Sequence, residues 1–182
     1  MTSIHPNMLA DVMKVELAMP DIASVAKAAV EDALDFCAQQ LRLADREAVE
    51  AQLREANPSV RSYFEYGLAR QIGERLGELD GEVHAVYLYD DEATPEDAVF
   101  GEATPSLVHL ILRVQRKTSA LKSLVAALDR GVTQKCAEML HASQLAHVLD
   151  VQMVDDIDVN TGTGYGALLT WLHHKPLSVW TR

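Results

Sequence analysis

Acidic side chains follow two apolar runs of the sequence, and they are its first candidate for chemistry. Asp90 and Asp91 come directly after one run, and Asp155, Asp156 and Asp158 follow another. If both runs are strands and lie parallel, the two groups meet at one edge of a sheet, where carboxylate oxygens could share Mg²⁺ or Ca²⁺. Such an ion supports phosphoryl or nucleotidyl chemistry. The competing interpretation, which we favour, is solvated turn residues, because no calcium-loop pattern or nucleotidyltransferase signature accompanies them.

Four polar residues at a predicted strand-to-helix turn are the second candidate, an anion site: Arg116, Lys117, Thr118 and Ser119. Free backbone N–H groups at a helix start, two hydroxyls and two cations suit a phosphate or a carboxylate. The simpler interpretation is that Thr118 or Ser119 caps the helix while the cations pair with the acidic segments. No phosphate-binding loop of the type G-x-x-x-x-G-K-[ST] is present. Capping is therefore the favoured interpretation.

The histidines and glycines show no spacing that defines a site. His173 and His174 are adjacent and diverge on either a helix or a strand, whereas His84 and His109 would face each other if their strands paired in register. The glycines at positions 162, 164 and 166 lack the G-x-G-x-x-G spacing of a dinucleotide-binding turn. No Ser-His-Asp or Cys-His set follows from spacing. We therefore assign no catalytic residue from the sequence.

Charge is strongly segregated along the chain, whose net charge is −11. Residues 81–102 hold seven acids and no base, and residues 142–158 hold four acids and no base. Between them, residues 103–141, the basic island, hold six bases and two acids. The acidic balance argues against nucleic-acid binding, which depends on neutralising phosphates. We expect the basic island to face the acidic segments, within one chain or between two.

The first half of the chain, residues 1–80, is predicted to be helical. About four helices are expected, the first of them in the methionine-rich segment 1–19. Asp45 and Asn57 are suited to cap two of the others, and Pro58 suits a first helical position. From Pro58, apolar residues step by four from Val60 to Leu76, and Asp80-Gly81 closes the helical half.

The second half, residues 81–182, is predicted to contain the sheet. Residues 83–89 alternate, with Val83, Ala85, Tyr87 and Tyr89 on one face. A strand over 107–115, a helix over 120–140 and a strand over 148–154 form one β-α-β unit if the strands pair. Residues 160–166 are predicted to be a glycine-rich turn, and residues 177–181 an edge strand or docking tail.

One domain over residues 1–182 is expected from the length of the chain. Its class is predicted to be α+β, with an N-terminal helical layer packed on a small mixed sheet of three to four strands. The sequence contains no apolar run near the ~18 residues of a membrane helix and no signal pattern at its start. We therefore expect a cytoplasmic protein without membrane contact.

The function predicted from the sequence is a non-catalytic domain acting through protein contacts. Its partner would be another protein or a second copy, since C₂ dimers are the commonest oligomers, and no cofactor is expected. The alternative is an enzyme dependent on a divalent metal, Mg²⁺ or Ca²⁺, that acts on a phosphorylated or nucleotide substrate. A third hypothesis is a small-ligand site on the sheet face around Tyr87, Tyr89 and His109.

Overall fold

The computed structural model describes residues 21–89, 108–143, 145–170 and 175–182. In these ranges the order of elements is α1 (Ile22–Leu41), α2 (Arg46–Arg54), α3 (Pro58–Leu79), β1 (Val83–Leu88), β2 (Val108–Val114), α4 (Ser119–Leu140), β3 (Leu149–Val154), α5 (Asp156–Thr161), α6 (Gly166–Thr170) and β4 (Leu177–Thr181). The predicted α+β class is confirmed. Three helices precede the sheet within the described residues, and the additional helix predicted in 1–19 lies outside them.

The longer helices begin at side chains that accept an otherwise free backbone N–H. Such caps lower the free energy of a helix start by about 1 kcal/mol each. The four capping residues are Asp21, Asp45, Asn57 and Thr118. Asp45 and Asn57 are caps that the sequence predicted, and Thr118 is one of the two residues, with Ser119, that it proposed for the start of α4.

Small residues bring α1 close to its two neighbours, α3 and α4. An added Cβ at Gly67 of α3 would lie 2.9 Å from Phe36 Cδ1, and one at Gly131 of α4 would lie 2.5 Å from Ala26 Cβ. Both distances are shorter than real Cβ contacts, so a side chain at Gly67 would displace the Phe36 ring, and one at Gly131 would force the two helices apart. Helix α1 therefore lies between α3 and α4 and packs on both.

The sheet has four strands in the order β3-β2-β1-β4. Strands β2 and β3 are parallel and are joined through α4, which is the predicted β-α-β unit. Strand β1 is antiparallel to both β2 and β4. It follows that β1 and β3 run in opposite directions.

One face of the sheet packs against the helical layer, and the other packs partly against α5 and α6. The helical side takes the apolar residues Val108, Leu110, Leu112 and Val114 of β2. The opposite side, the outer face, carries a smaller apolar group built on Tyr89, Ile111 and Val154. Strand β2 thus contributes to two cores, as a central strand should.

Strand β1 departs from the strict alternation that its sequence predicts. The pairing with β2 shifts between Val83 and Ala85, which is a bulge at His84. Val83 consequently packs with Val86 in the main core, whereas Tyr89 packs on the outer face. The prediction that Val83 and Tyr89 share a face is wrong for this reason.

None of the helices in the described ranges has both the length and the apolar composition needed to cross a membrane.

Candidate functional site

The two arginines of the basic island nearest the strand-to-helix turn are paired inside the chain. Arg113 Nη2 donates to Asp156 Oδ1 at 2.7 Å, and Arg116 Nη2 donates to Glu82 Oε1 at 2.7 Å. Hydrogen bonding to these partners raises the pKa of both guanidinium groups and lowers the pKa of Glu82. The basic island therefore faces acidic residues of its own chain.

Lys117 joins the same turn to the acids that follow β3. Its ammonium group pairs with Asp158 and lies 3.9 Å from Asp155 Oδ2. Hydrogen bonding from Lys117, and then from the Asp155 backbone N–H, lowers the pKa of Asp158. Asp155 in turn caps α5 by accepting the N–H groups of Ile157 and Asp158. These acids have structural partners, and the turn to which they belong is a helix start.

Capping also describes the beginning of α4. Thr118 Oγ1 accepts the N–H of Leu121 at 3.1 Å, which is the interpretation that the sequence favoured. Arg116, Lys117, Thr118 and Ser119 do lie together at one end of the sheet. Two of the four, Arg116 and Lys117, are already in ion pairs within the chain. Binding of an external anion at this turn stays a prediction.

The metal hypothesis required the acidic groups after β1 and β3 to share one edge of the sheet. Because β1 and β3 run in opposite directions, the described ends of these strands lie at opposite ends of the sheet. Asp90 and Asp91 fall outside the described residues. Within those residues, no three His, Cys, Asp or Glu side chains converge as a metal site would require. The site stays a prediction, and a rise in melting temperature with millimolar Mg²⁺ or Ca²⁺ would support it.

A polar cluster centred on Asp150 lies on the outer face. One Asp150 oxygen is 3.1 Å from His109 Nδ1 and 3.5 Å from the Tyr89 hydroxyl, and the other accepts from Gln152 Nε2 at 2.9 Å. The Tyr89 ring packs against His109, with 5.3 Å between ring centroids. A carboxylate at Nδ1 fixes the ring orientation of a histidine, which is the arrangement of an oriented acid–base group.

The sequence named part of this outer-face cluster and missed the rest. Tyr87, Tyr89 and His109 were grouped from strand alternation, but Asp150 and Gln152 were not included. Their register opposite His109 and Ile111 depends on the parallel pairing of β2 with β3. The condition under which His84 and His109 would face each other is not met, because His84 is the bulge residue between the pairs Val83–Val114 and Ala85–Arg113, whereas the His109 carbonyl accepts the backbone N–H of Tyr89.

The two edge strands of the sheet differ in how far they are protected. At β3, Asp129 Oδ1 accepts the N–H groups of Val148 and Leu149, at 3.1 and 2.9 Å, so α4 already uses the first amides of this edge. The charged side chain of Asp150 follows on the same strand. Charged side chains and covered amides are the devices that prevent an edge strand from pairing with another chain.

Within the described part of the chain, strand β4 has neither charged side chains nor covered amides, although it is short and contains a bulge. Its sequence, Leu177–Thr181, holds no charged residue, and Leu177 is 53% exposed. Alternate residues of an antiparallel strand bond to opposite sides. The backbone N–H of Arg182 donates to the His84 carbonyl of β1. Thr181 precedes Arg182, and its backbone N–H and C=O groups therefore point away from β1. Ser178, which lies opposite Tyr87, does the same.

A groove on the helical layer is a second exposed surface. It lies between α1 and α3 and has a volume of about 490 Å³. Its lining residues include Phe36, Tyr66 and Arg70, together with Tyr63, which is 41% exposed. Tyrosine and arginine are frequent anchors of protein interfaces. The groove is thus the main competitor of the β4 edge as a contact surface.

Comparisons of the chain with models of protein families, with curated proteins and with solved structures find no match.

Proposed function

We propose that this chain is a non-catalytic α+β domain that acts through protein contacts and associates with itself, most simply as a two-fold dimer. The observation that supports the proposal is the outer edge of β4, which is uncharged and has no neighbouring strand among the described residues. An edge of this kind is a template for adding a strand from another chain. The same proposal includes a cytoplasmic location and no cofactor.

Attraction between opposite charges does not hold the two copies together in this proposal. The cations of the strand-to-helix turn pair with Glu82, Asp156 and Asp158 of their own chain. A net charge of −11 on each copy opposes association and opposes nucleic-acid binding as well. The attraction between copies must then come from backbone hydrogen bonds and apolar surface.

The test is the mass of the full chain in solution, measured by light scattering after size-exclusion chromatography at low and at high salt. The expected mass lies above the 20.0 kDa of one chain at both ionic strengths and approaches twice that value as the protein concentration rises. A charge-based contact would instead weaken as salt screens it. A single chain mass under both conditions would overturn the proposal.

A further inference from the structure

We propose that two copies of this chain join by antiparallel pairing of β4 with β4 of the second copy across a two-fold axis, which extends the four-stranded sheet to eight strands. This inference rests on the proposed function and specifies its interface. Two residues of β4, Ser178 and Thr181, have backbone N–H and C=O groups that point away from β1. Each position offers one donor and one acceptor to a neighbouring strand.

Ser178 and Thr181 form a set that can pair with the same set in a second copy. When β4 is laid antiparallel beside a second β4, Ser178 of one copy lies opposite Thr181 of the other, and the reverse pair is equivalent by symmetry. A two-fold interface has this property, that residue i meets residue j and j meets i. Both side chains are small, exposed hydroxyls, so neither introduces a clash or a buried charge.

Contacts with α3 also hold β4 in place. The Trp180 side chain fits against Gly73 and Gly77 of α3, where an added Cβ would overlap it. The Arg182 guanidinium donates to the carbonyls of Gly77 and Gly81 near the C-terminal end of α3. An edge that is already ordered loses little conformational entropy when it pairs, and this favours association.

A bulge limits the extent of the contact. The pairing of β4 with β1 shifts between Trp180 and Ser178, so Val179 is the extra residue and points with Trp180 toward the main core. Only two residues then face outward along the strand. A contact this short belongs to the small interfaces, which dissociate readily.

The first experiment compares Thr181→Pro with Thr181→Val in the full chain. Proline removes the outward N–H of residue 181, whereas the bonds to β1 are made by other residues and remain. Valine keeps that N–H and the side-chain volume. We expect the proline variant to sediment as one chain and the valine variant to sediment as a dimer like the native protein. Circular dichroism of both variants confirms that they fold.

The second experiment needs no disruptive substitution. In the double variant Ser178→Cys with Thr181→Cys, each new thiol faces the other kind in the second copy. Residues paired in an antiparallel ladder have Cα atoms about 5.5 Å apart, which suits a disulfide. Within one copy the two positions are about 10 Å apart along the strand, too far to bridge. Mild oxidation should yield a covalent dimer, and neither single variant should do so, since Cys37 and Cys136 are buried.

The outcomes separate this inference from the proposed function. If Thr181→Pro is still a dimer and the double cysteine variant does not cross-link, the β4 interface is overturned and self-association stands. Loss of that dimer in Tyr63→Ser instead would place the contact at the groove between α1 and α3. A native chain that is monomeric at every salt concentration overturns the proposed function itself. A dimer lost in Thr181→Pro and cross-linked in the double cysteine variant supports both.

Discussion

The close approach of α3 to β4 depends on single residues that have no side chain. Gly77 faces the ring of Trp180, and an added Cβ at Gly73 would lie 2.8 Å from Trp180 Cβ. Glycine usually weakens a helix interior by about 1 kcal/mol relative to alanine. Its presence here is explained by the space that the indole ring needs, and the sequence alone indicated only that the glycines favour close packing.

Gly77→Ala should therefore lower stability although it improves helix propensity. Overpacking costs about 1–3 kcal/mol, and the gain in propensity offsets about 1 kcal/mol of that. Because the new Cβ would lie 2.2 Å from two atoms of the Trp180 ring, the cost falls at the upper end of that range, and we expect a net loss of about 2 kcal/mol in the free energy of unfolding, measured with urea. The matched control is Gly81→Ala, where the nearest atom to the new Cβ is Arg182 Nη1 at 3.6 Å. Equal stability of the two variants would contradict this account of the packing.

One carboxylate, Asp129, ties α4 to the start of β3. Replacing it with alanine leaves the Leu149 N–H without its partner, while Val148 keeps the Thr133 hydroxyl. An unsatisfied buried donor costs about 1–3 kcal/mol, and urea denaturation should show a loss of that size. Asp129→Asn retains an acceptor oxygen and should retain most of the stability. If the two variants are equally destabilised, the loss arises from charge and not from these hydrogen bonds.

At the scale of elements, α5 is the helix that the sequence did not predict. Asp155–Asp158 was interpreted as a turn, yet Asp155 and Asp158 form a capping box, and Gly162 ends the helix in the left-handed conformation. A helix of six residues without a buried residue has no apolar period to detect. Only the spacing of the two acids could have signalled it.

The long elements were predictable because their signal is local. α3 and α4 each run for 22 residues with a helical apolar period, and β2 is apolar on both faces. The direction of β1, and the position of Asp150 beside His109, follow from pairing between distant segments. No local pattern encodes that pairing, so the outer-face cluster was only half predicted.

The pairing of Lys117 with Asp158 attaches α5 to the strand-to-helix turn, and it should make stability depend on acid. The pKa of Asp158 is lowered in the folded state, so as pH falls the unfolded chain takes up this proton first. Its contribution is present above the unfolded pKa of about 3.9 and is lost as pH falls through the lower folded pKa.

Asp158→Asn should accordingly be less stable than the native chain near neutral pH, by about 0.5–1 kcal/mol for a pair that is partly exposed. That difference should shrink as the pH is lowered to about 3. The measurement is urea denaturation of both proteins across this range. Lys117→Gln should remove the larger part of the same pH dependence, since the Asp155 N–H still donates to Asp158. Parallel loss of stability in the native chain and in Asp158→Asn would show that this pair contributes nothing.

At the scale of the whole molecule, the segregated charges of the sequence form ion pairs within one chain. They hold the strand-to-helix turn, α5 and the start of β1 together. Among the described residues, a partner would meet a surface that is acidic on balance, with the groove between α1 and α3 and the uncharged edge of β4 as the candidate contacts. Because copies of net charge −11 repel each other, salt should strengthen a dimer held by that edge.

Sedimentation equilibrium of the native chain, over a range of concentrations and at low and high salt, tests self-association most directly. We predict a monomer–dimer equilibrium that shifts toward the dimer as the protein concentration rises, with tighter association at high salt. A single species of 20.0 kDa at every concentration and both salt levels would contradict it.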